Sequence, residues 1–596
     1  MILNQLVEYY DRKDALGEIP KPGLEPRRID FLVVVDKNGK FTSLEDMRKP
    51  DGNKKLAGMP YHVPRRVGRT SGIKANLLYD NSEYALGVVA NGATDKKITP
   101  KHDAFLARIR GELKESQTKS PCLRAVVAFL ENPQSARDVV ACQQWRNTDP
   151  EELNKAWFSF RLDGEDSPVF AAPSVCDEII ANAMRDKKRW VDKGKKAGER
   201  CIVSGGYDSI ARVHDSIQGF NSTGISIVSY NQEAFNSYGK KQSRNAFVGE
   251  TAAQKYVAAL NMLLSKDSDQ KIAVAGGKVI FWARKDVQLV NDIAAFFGEA
   301  QKDNPDDRRA QAVKHLYESV KRGDNAEIDA TPFYILGLSP NRARLAVSFW
   351  YEGTAGETAK NICAHFKDVE IAGMKTPPGM LALTATLGRA DNIAPSLGGD
   401  MLRAALTGAP YPRTALIMAV IRCRAEAPKK EAKNDNRAPR AALIKACINR
   451  FYRKNRLSPV LQLNKEITMA LDPENKSPGY CLGRLFAALE KLQEDANRGI
   501  KATIRAQFYG AASASPGVVF PILMRKHHAH LTKLESTNQK IAIATVHKRR
   551  IGEIKGLLNN FPPRLTLEEQ GLFALGYYHQ RDYFFTPKKE KDNEQK

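Results

Sequence analysis

The sharpest chemical signal in the sequence is Ser204-Gly205-Gly206-Tyr207-Asp208-Ser209. A glycine-rich turn of this kind can converge backbone N–H groups on the pyrophosphate of ATP, if a strand leads in and a helix N-terminus follows. The next stretch, IARVHDSIQGFNSTG, is broken by Gly219 and Gly224, so a turn joining two strands is the expected structure. The ten histidines are scattered, apart from His527, His528 and His530. His527 and His530 share a helix face, but no His-Glu-x-x-His pattern accompanies them. A solvated basic face with Arg525, Lys526 and Lys533 is expected there. Cys363 and His365 form a pair too small for a metal site. The eight cysteines are at least 20 residues apart, which argues against a zinc knuckle and suits a reducing cytoplasm. No metal, cofactor or catalytic residue is expected.

Nucleic-acid chemistry is better represented. Lys and Arg total 92 against 68 Asp and Glu, a net charge of +24 over 596 residues. A surplus of that size suits a polyanion partner. Segment 61–81, YHVPRRVGRTSGIKANLLYDN, concentrates cations, small hydroxyls and glycines. Arg65, Arg66, Arg69 and Ser71 are expected on phosphates. Lys74 and Asn76 are expected on base edges. Segment 229–245, SYNQEAFNSYGKKQSRN, interleaves Tyr230, Phe235 and Tyr238 with Asn231, Asn236, Lys240, Lys241, Arg244 and Asn245. It forms a second candidate DNA-facing set, with aromatics for stacking and amides for hydrogen bonding. Arg342 and Arg344 sit at an expected hairpin turn, where they could reach a groove.

Elements of two kinds must position these residues. Asp30–Asp36 and Lys40–Ser43 flank Asn38-Gly39, a pair suited to a tight hairpin. Ile272–Ala275 and Lys278–Ala283 flank Gly276-Gly277. Thr331–Leu338 and Arg344–Tyr351 flank Ser339-Pro340-Asn341. Helical periodicity marks residues 2–10 and Thr251–Leu264, the latter with a Thr-x-x-Gln start. No basic leader with an apolar core opens the chain, and no run approaches a membrane span, so neither secretion nor membrane insertion is expected. Residues 422–456 carry twelve Lys/Arg against three Asp/Glu and read as an exposed basic loop. Beyond about residue 470 the pattern predicts helices over Tyr480–Ala496, Lys501–Tyr509, Pro516–Glu535 and Gln539–Leu558, with a last one from Thr566. The expected fold is α+β: a mixed region over 1–421, a basic linker over 422–468 and an antiparallel helical bundle over 469–596. In the bundle, Lys501, Arg505, Arg525, Lys526, Lys533, Arg549 and Arg550 are the cations available to track a single strand.

Five stretches together carry a family resemblance: RTSGIKANLLYDN (69–81), GISIVSYNQEAFNSYGKKQSRNA (224–246), LSPNRARLAVSFWYE (338–352), GYCLGRLFAALEKLQ (479–493) and LTLEEQGLFALGYYHQRDYFF (565–585). They resemble the large subunit of the type I-C CRISPR Cascade complex, over nearly the whole chain. The resemblance implies a non-enzymatic subunit at the 5′ handle of a guide RNA. Such a subunit recognises the protospacer-adjacent motif in target duplex DNA, helps open it and guides the displaced single strand. It contacts the backbone and handle-binding subunits and helps recruit the helicase–nuclease. The resemblance also implies small helical subunits made from an internal start, for which Met469 is the best placed. Two other readings remain at this stage: an ATP-pyrophosphatase-like enzyme using the 204–209 loop, and an RNA-binding scaffold that never reads duplex DNA.

Overall fold

The computed structural model describes residues 1–21, 23–51, 55–67, 72–90, 97–183, 185, 198–221, 224–230, 232–265, 268–274, 276–297, 311–388, 394–425, 436–454, 466–536 and 538–586, except 312, 315, 319, 321–328 and 343. The fold is α+β and divides into two compact units. The first comprises Met1–Asp215 and Val228–Leu260, the second Ser216–Ile227 and Asn261–Lys596.

The first unit is built on a four-stranded sheet in the order Phe41–Asp46, Phe31–Val35, Phe158–Leu162, Tyr79–Asp80. Phe31–Val35 pairs antiparallel with Phe41–Asp46 and parallel with Phe158–Leu162. All five residues of Phe31–Val35 are buried, as a strand covered on both faces requires. The expected Asn38-Gly39 turn is present. Asp36 Oδ1 accepts the N–H groups of Asn38 and Lys40, each at 2.8 Å, and Gly39 has φ +79°. A Cβ at Gly39 would strike Ala128 in the helix Pro121–Glu131, so glycine serves both the turn and the packing. Phe31 stacks on Phe158 at 5.2 Å, and Phe160 packs against Phe105 and Phe129. A separate antiparallel ribbon, Leu24–Ile29 with Met59–Pro64, runs directly into Arg65 and Arg66.

The second unit contains an antiparallel sheet in the order Arg344–Thr354, Pro332–Asn341, Gly277–Ala283, Lys271–Val274. Thr354 ends one strand and starts the helix Ala355–Val369 through a reciprocal capping box with Glu357. Both expected hairpins form, but the second turns later than its sequence suggests. Ser339-Pro340-Asn341 stays in the strand, and the turn falls at Arg342 with φ +55°.

The expected linker over 422–468 is overturned in its described part. Arg413–Ala425 and Arg437–Lys454 are helices, and the second is buried from Arg440 through Arg450. Its leucine and isoleucines join one core that runs from the sheet to Tyr480, Leu572 and Leu575. Residues 426–435, a highly charged part of the expected loop, and 455–465 lie outside the described residues. The boundary at 421 therefore does not separate two bodies.

The bundle helices fall close to their expected places: Pro478–Ala496, Ile504–Ala514, Pro516–Glu535, Ile541–Gly556 and Leu567–Phe585. Thr566 and Glu569 form the expected capping box. Pro478–Ala496 and Leu567–Phe585 meet backbone to backbone. A Cβ at Gly483 would run into the carbonyl oxygen of Phe573, and one at Gly576 into that of Tyr480. The buried carboxylate of Glu490 is satisfied across this seam by the hydroxyls of Thr503 and Tyr577, with Arg581 at 3.6 Å.

Candidate nucleic-acid interface

In the first unit the ribbon strand Met59–Pro64 delivers Arg65 and Arg66 to the surface, and Arg65 N–H continues the ladder onto the Gly23 carbonyl at 2.8 Å. Arg69 and Ser71 lie outside the described residues. Lys74 is exposed. Asn76 is not: it is 2% exposed, its side-chain oxygen accepts Val67 N–H at 3.1 Å, and its own N–H donates to Asp80 Oδ2 at 2.8 Å. Its amide thus closes the base of the 67–76 loop. A base-edge contact, expected of it from residue type alone, is incompatible with this burial. Arg108 donates to the Ala75 carbonyl at 2.6 Å and fixes the same turn from a helix. Glu25 sits beside Arg65 and Arg66. Burial raises its pKa from the usual carboxylate range, against the lowering effect of Arg27, Arg66 and Arg65.

The second segment is a knot of turns rather than regular structure. Asn231 lies outside the described residues. Asn236, Lys241 and Arg244 are exposed, and Lys240 lies 3.9 Å from the Phe247 ring centre. One amide of the segment, Asn245, holds the loop from within. It accepts Ser237 N–H at 2.9 Å and donates to the carbonyls of Lys240 and Gln242 at 2.9 and 2.8 Å. At the tip this leaves Tyr238 96% exposed, in a left-handed conformation with φ +50°. The ring is thus presented almost wholly to solvent on a turn that Asn245 braces.

The segment between these two ties them together. Arg65 pairs with Asp215. Three residues earlier, Arg212 donates to Gln242 at 2.6 Å and its carbonyl accepts Ser243 N–H at 3.1 Å. Ala211 N–H and Ile202 N–H reach the carbonyls of Val248 and Phe247. The two sequence-distant cationic segments therefore share one support within the first unit.

The same support explains the glycine-rich loop. Residues 201–206 make a tight turn between bridged Arg200 and Tyr207, with Gly205 N–H on the Cys201 carbonyl. Asp208 is buried and uses its carboxylate on Ser209 N–H and on Thr251 N–H, at 2.8 and 3.0 Å. It thereby serves the first turn of the helix Glu250–Leu263, which begins one residue before the expected Thr251 start. Among the described residues no strand leads into this loop and no helix directly follows it, so they show no phosphate-cradling context. Nearby, His214 shares a 2.5 Å hydrogen bond with the Tyr256 hydroxyl, and burial pulls its pKa down to about 4.

In the second unit Arg342 occupies the hairpin turn, and Arg344 opens the following strand beside Ser226. The bundle cations differ in availability. Lys501 and Arg525 are exposed. Lys526 lies 5.0 Å from the Phe508 ring, Lys533 donates to Asn497 at 2.7 Å and Arg549 pairs with Glu553 at 3.1 Å. Arg550 stacks over Phe584 at 4.7 Å. Arg505 is corrected: its guanidinium sits 4.2 and 4.6 Å from the Tyr509 and Tyr577 rings and donates to the Cys423 carbonyl. That side chain braces the bundle and does not face a ligand. His527 bonds the Met524 carbonyl and lies ring to ring with His528. Among the described residues no three metal-capable side chains cluster.

No helix among the described residues is long and apolar enough to cross a membrane. No curated protein matches the chain. A family model described as CRISPR-associated protein (Cas_Csd1) matches residues 6–585. A match of that extent, over both units and both cationic segments, shows that the chain belongs to the Cas_Csd1 family of CRISPR-associated proteins.

Proposed function

We propose that the chain is the non-catalytic large subunit of a type I-C CRISPR RNA-guided surveillance complex, and that its first unit reads the protospacer-adjacent motif in duplex DNA. The observation that carries this reading is the shared support. Segments 61–81 and 229–245 are bound to the same strap, 200–215, by Arg65–Asp215 and by Arg212 with Gln242 and Ser243. Two cationic loops held in fixed register suit a duplex better than a flexible polyanion, because phosphate contacts fix position and a few side chains then reach base edges. Arg65 and Arg66, with Arg69 and Ser71 of the same segment, take phosphates. Lys74 reaches the base edge, and Asn76 acts one step back by shaping the loop that presents it. Tyr238 stacks on a base as the duplex opens, flanked by Lys240, Lys241 and Arg244.

Base pairing with the guide reads the long sequence, so the protein needs only a short duplex motif and a basic path for the displaced strand. Lys501, Arg525, Lys526, Lys533, Arg549 and Arg550 supply that path, and Arg342 and Arg344 add charge at the hairpin. The partners are the guide RNA with its 5′ handle, the backbone, handle-binding and small subunits, and the helicase–nuclease.

Met469 remains the proposed internal start. Residues just after it already belong to the bundle: Asp472 N–H meets the Tyr480 hydroxyl, and Arg484 donates to the carbonyls of Asp472 and Pro473. Loss of the short product in Met469→Leu is the expected result.

The deciding experiment measures duplex binding by guide-loaded complex, with and without this chain, on targets with correct and scrambled flanking motifs. Discrimination only when the chain is present supports the reading. Discrimination without it assigns motif reading to another subunit and leaves this chain an RNA scaffold.

A further inference from the structure

We infer that a pocket at one end of the bundle, about 330 Å³ in volume and lined by residues of three helices, binds a single nucleotide unit: a base with its phosphate. The inference rests on the reading that the bundle lies along a single strand, and it names the one subsite there with a shape of its own. Lys491 and Asp495 come from Pro478–Ala496, Ile543, Val546, His547 and Arg550 from Ile541–Gly556, and Phe584 from Leu567–Phe585.

Three features of the pocket point to this ligand. The first is a cation with no hydrogen-bonded anion, the Asp495 and Glu553 carboxylates acting on it only through space. Arg550 has no hydrogen bond or ion pair among the described residues, and its contact is the Phe584 ring at 4.7 Å. Glu553, one turn on, is taken by Arg549. Burial lowers the Arg550 pKa from the usual arginine value. A half-buried guanidinium so placed is stabilised by a phosphate. The second is an imidazole with one nitrogen unused. His547 is 3% exposed, its Nε2 meets Asp495 Oδ2 at 2.9 Å, and its Nδ1 has no partner. Asp495 is held in turn by Lys491 at 2.5 Å, so the imidazole is oriented and its unpaired nitrogen carries the cost of an unmet hydrogen bond. That nitrogen is itself buried, so the part of His547 is to hold Asp495 in the pocket wall. The third is the apolar wall. Val546 is 53% exposed and Ile543 37% exposed beside Phe584. Next to Phe584, Phe585 is 64% exposed, with Arg581 at 5.0 Å and Lys491 at 5.9 Å from its ring. Two adjacent aromatic rings, each attended by cations, is the chemistry of base stacking on a single-strand track.

The volume decides between ligand sizes. At about 330 Å³ the pocket lies at the lower end of small-molecule sites, a size that suits one nucleotide unit. The ligand chemistry has two sources, a nucleotide within a strand and a free nucleotide, and the test separates them.

The test uses the full chain and two variants, V546W and F584L. Val546 is largely solvent-facing, so tryptophan there fills the pocket mouth while every cation stays. Phe584→Leu removes the ring and keeps apolar bulk. Unchanged thermal unfolding certifies the fold of each. An oligonucleotide carrying 5-iodouracil is photocrosslinked, and the adduct is mapped by mass spectrometry. Affinity is measured for a base-bearing strand and for an abasic strand of equal charge. The expected result is an adduct on Tyr583 or Phe584 that disappears in V546W. Both variants should lose about tenfold in affinity for the base-bearing strand and keep that for the abasic strand. Strand binding that is identical in both variants, with no adduct in the pocket, overturns the inference and leaves the strand-path reading standing. If the chain binds neither strand, that reading fails, and titration with mononucleotides decides the pocket: saturable binding lost in V546W supports a free-nucleotide site, and no saturation overturns it. Competition by an acidic phenylalanine-containing peptide but not by nucleotides would assign the pocket to a protein partner, and would also overturn it.

Discussion

Glycine does opposite jobs in the two regions that matter most. In the bundle, Gly483 and Gly576 let two helices touch through their backbones. In the 229–245 knot, Gly239 has φ +68°, and a Cβ on it would meet nothing within 4 Å. The first glycines exist for packing, the second for backbone conformation. The contrast extends to side chains. The bundle packs Glu490, Arg505 and His579 against polar partners in its interior, whereas the knot leaves Tyr238 in water. One region is made to hold its shape, and the other holds a few side chains out.

The strongest way to break the comparison is Gly→Ala in both places. Gly483→Ala should cost more than about 3 kcal/mol, because a backbone carbonyl cannot move aside as a side chain can. Gly239→Ala should cost about 1–2 kcal/mol, the ordinary penalty of a left-handed alanine. Denaturant unfolding of the full chain measures both, and similar losses would refute the distinction.

Acid should affect both regions. Burial pulls His214 down to about 4 and His579 to about 3 from the usual 6.5. The unfolded chain therefore takes up these protons first as pH falls. The stability contributed by neutral histidine is whole above pH 6.5, declines below it and is gone by the folded values. Each pKa unit is about 1.4 kcal/mol, so His214 accounts for roughly 3 kcal/mol between pH 6.5 and 4. His214→Gln should flatten that slope in unfolding titrations from pH 8 to 4.

Tyr238→Ala sharpens the comparison from the other side. It should leave unfolding unchanged and cost about 1–3 kcal/mol in binding of an opened target, with little effect on a closed duplex. Arg66→Ala should weaken binding evenly across motifs and reduce the salt dependence by about one counterion, whereas Lys74→Ala should narrow the gap between matched and scrambled motifs by about 1–3 kcal/mol. The smallest effect belongs to Asp215→Asn. It frees the half-exposed Arg65, and the pair it breaks is worth about 0–1 kcal/mol. Non-specific DNA affinity should rise slightly, read as a change in association rate at low salt.

Much of the fold was legible where local chemistry decides it. Asn38-Gly39 and Gly276-Gly277 announced hairpins, and Thr566 with Glu569 announced a helix start. The buried helix Arg437–Lys454 was hidden by its own charge. Its cations are spent on distant backbone: Arg440 on the Thr386 carbonyl, Lys445 on that of Lys367, and Arg450 on those of Ala404 and Ala409 and on Asp368. Several of these carbonyls end helices, where cations are welcome. A count of charges along a sequence has no view of carbonyls 40–80 positions away. The candidate site divides the same way. Residue type pointed to Lys74 and the 240–244 cations, of which Lys74, Lys241 and Arg244 are exposed, and to Asn76, which is buried. Asp80, four residues on, was the available hint that Asn76 is engaged in a local turn. Asn245 stood among the amides of its segment, but its role within the loop was hidden, because its three bonds close only once the knot has formed.

The glycine seam also sets a timetable. Gly483 faces Phe573, about ninety residues further along the chain. At about 5–20 residues per second, a ribosome needs several seconds to make the second helix after the first has left it. Through that interval Pro478–Ala496 carries an unmatched apolar stripe. The bundle can close only when synthesis has passed Phe585, so through those seconds the stripe is open to other partners.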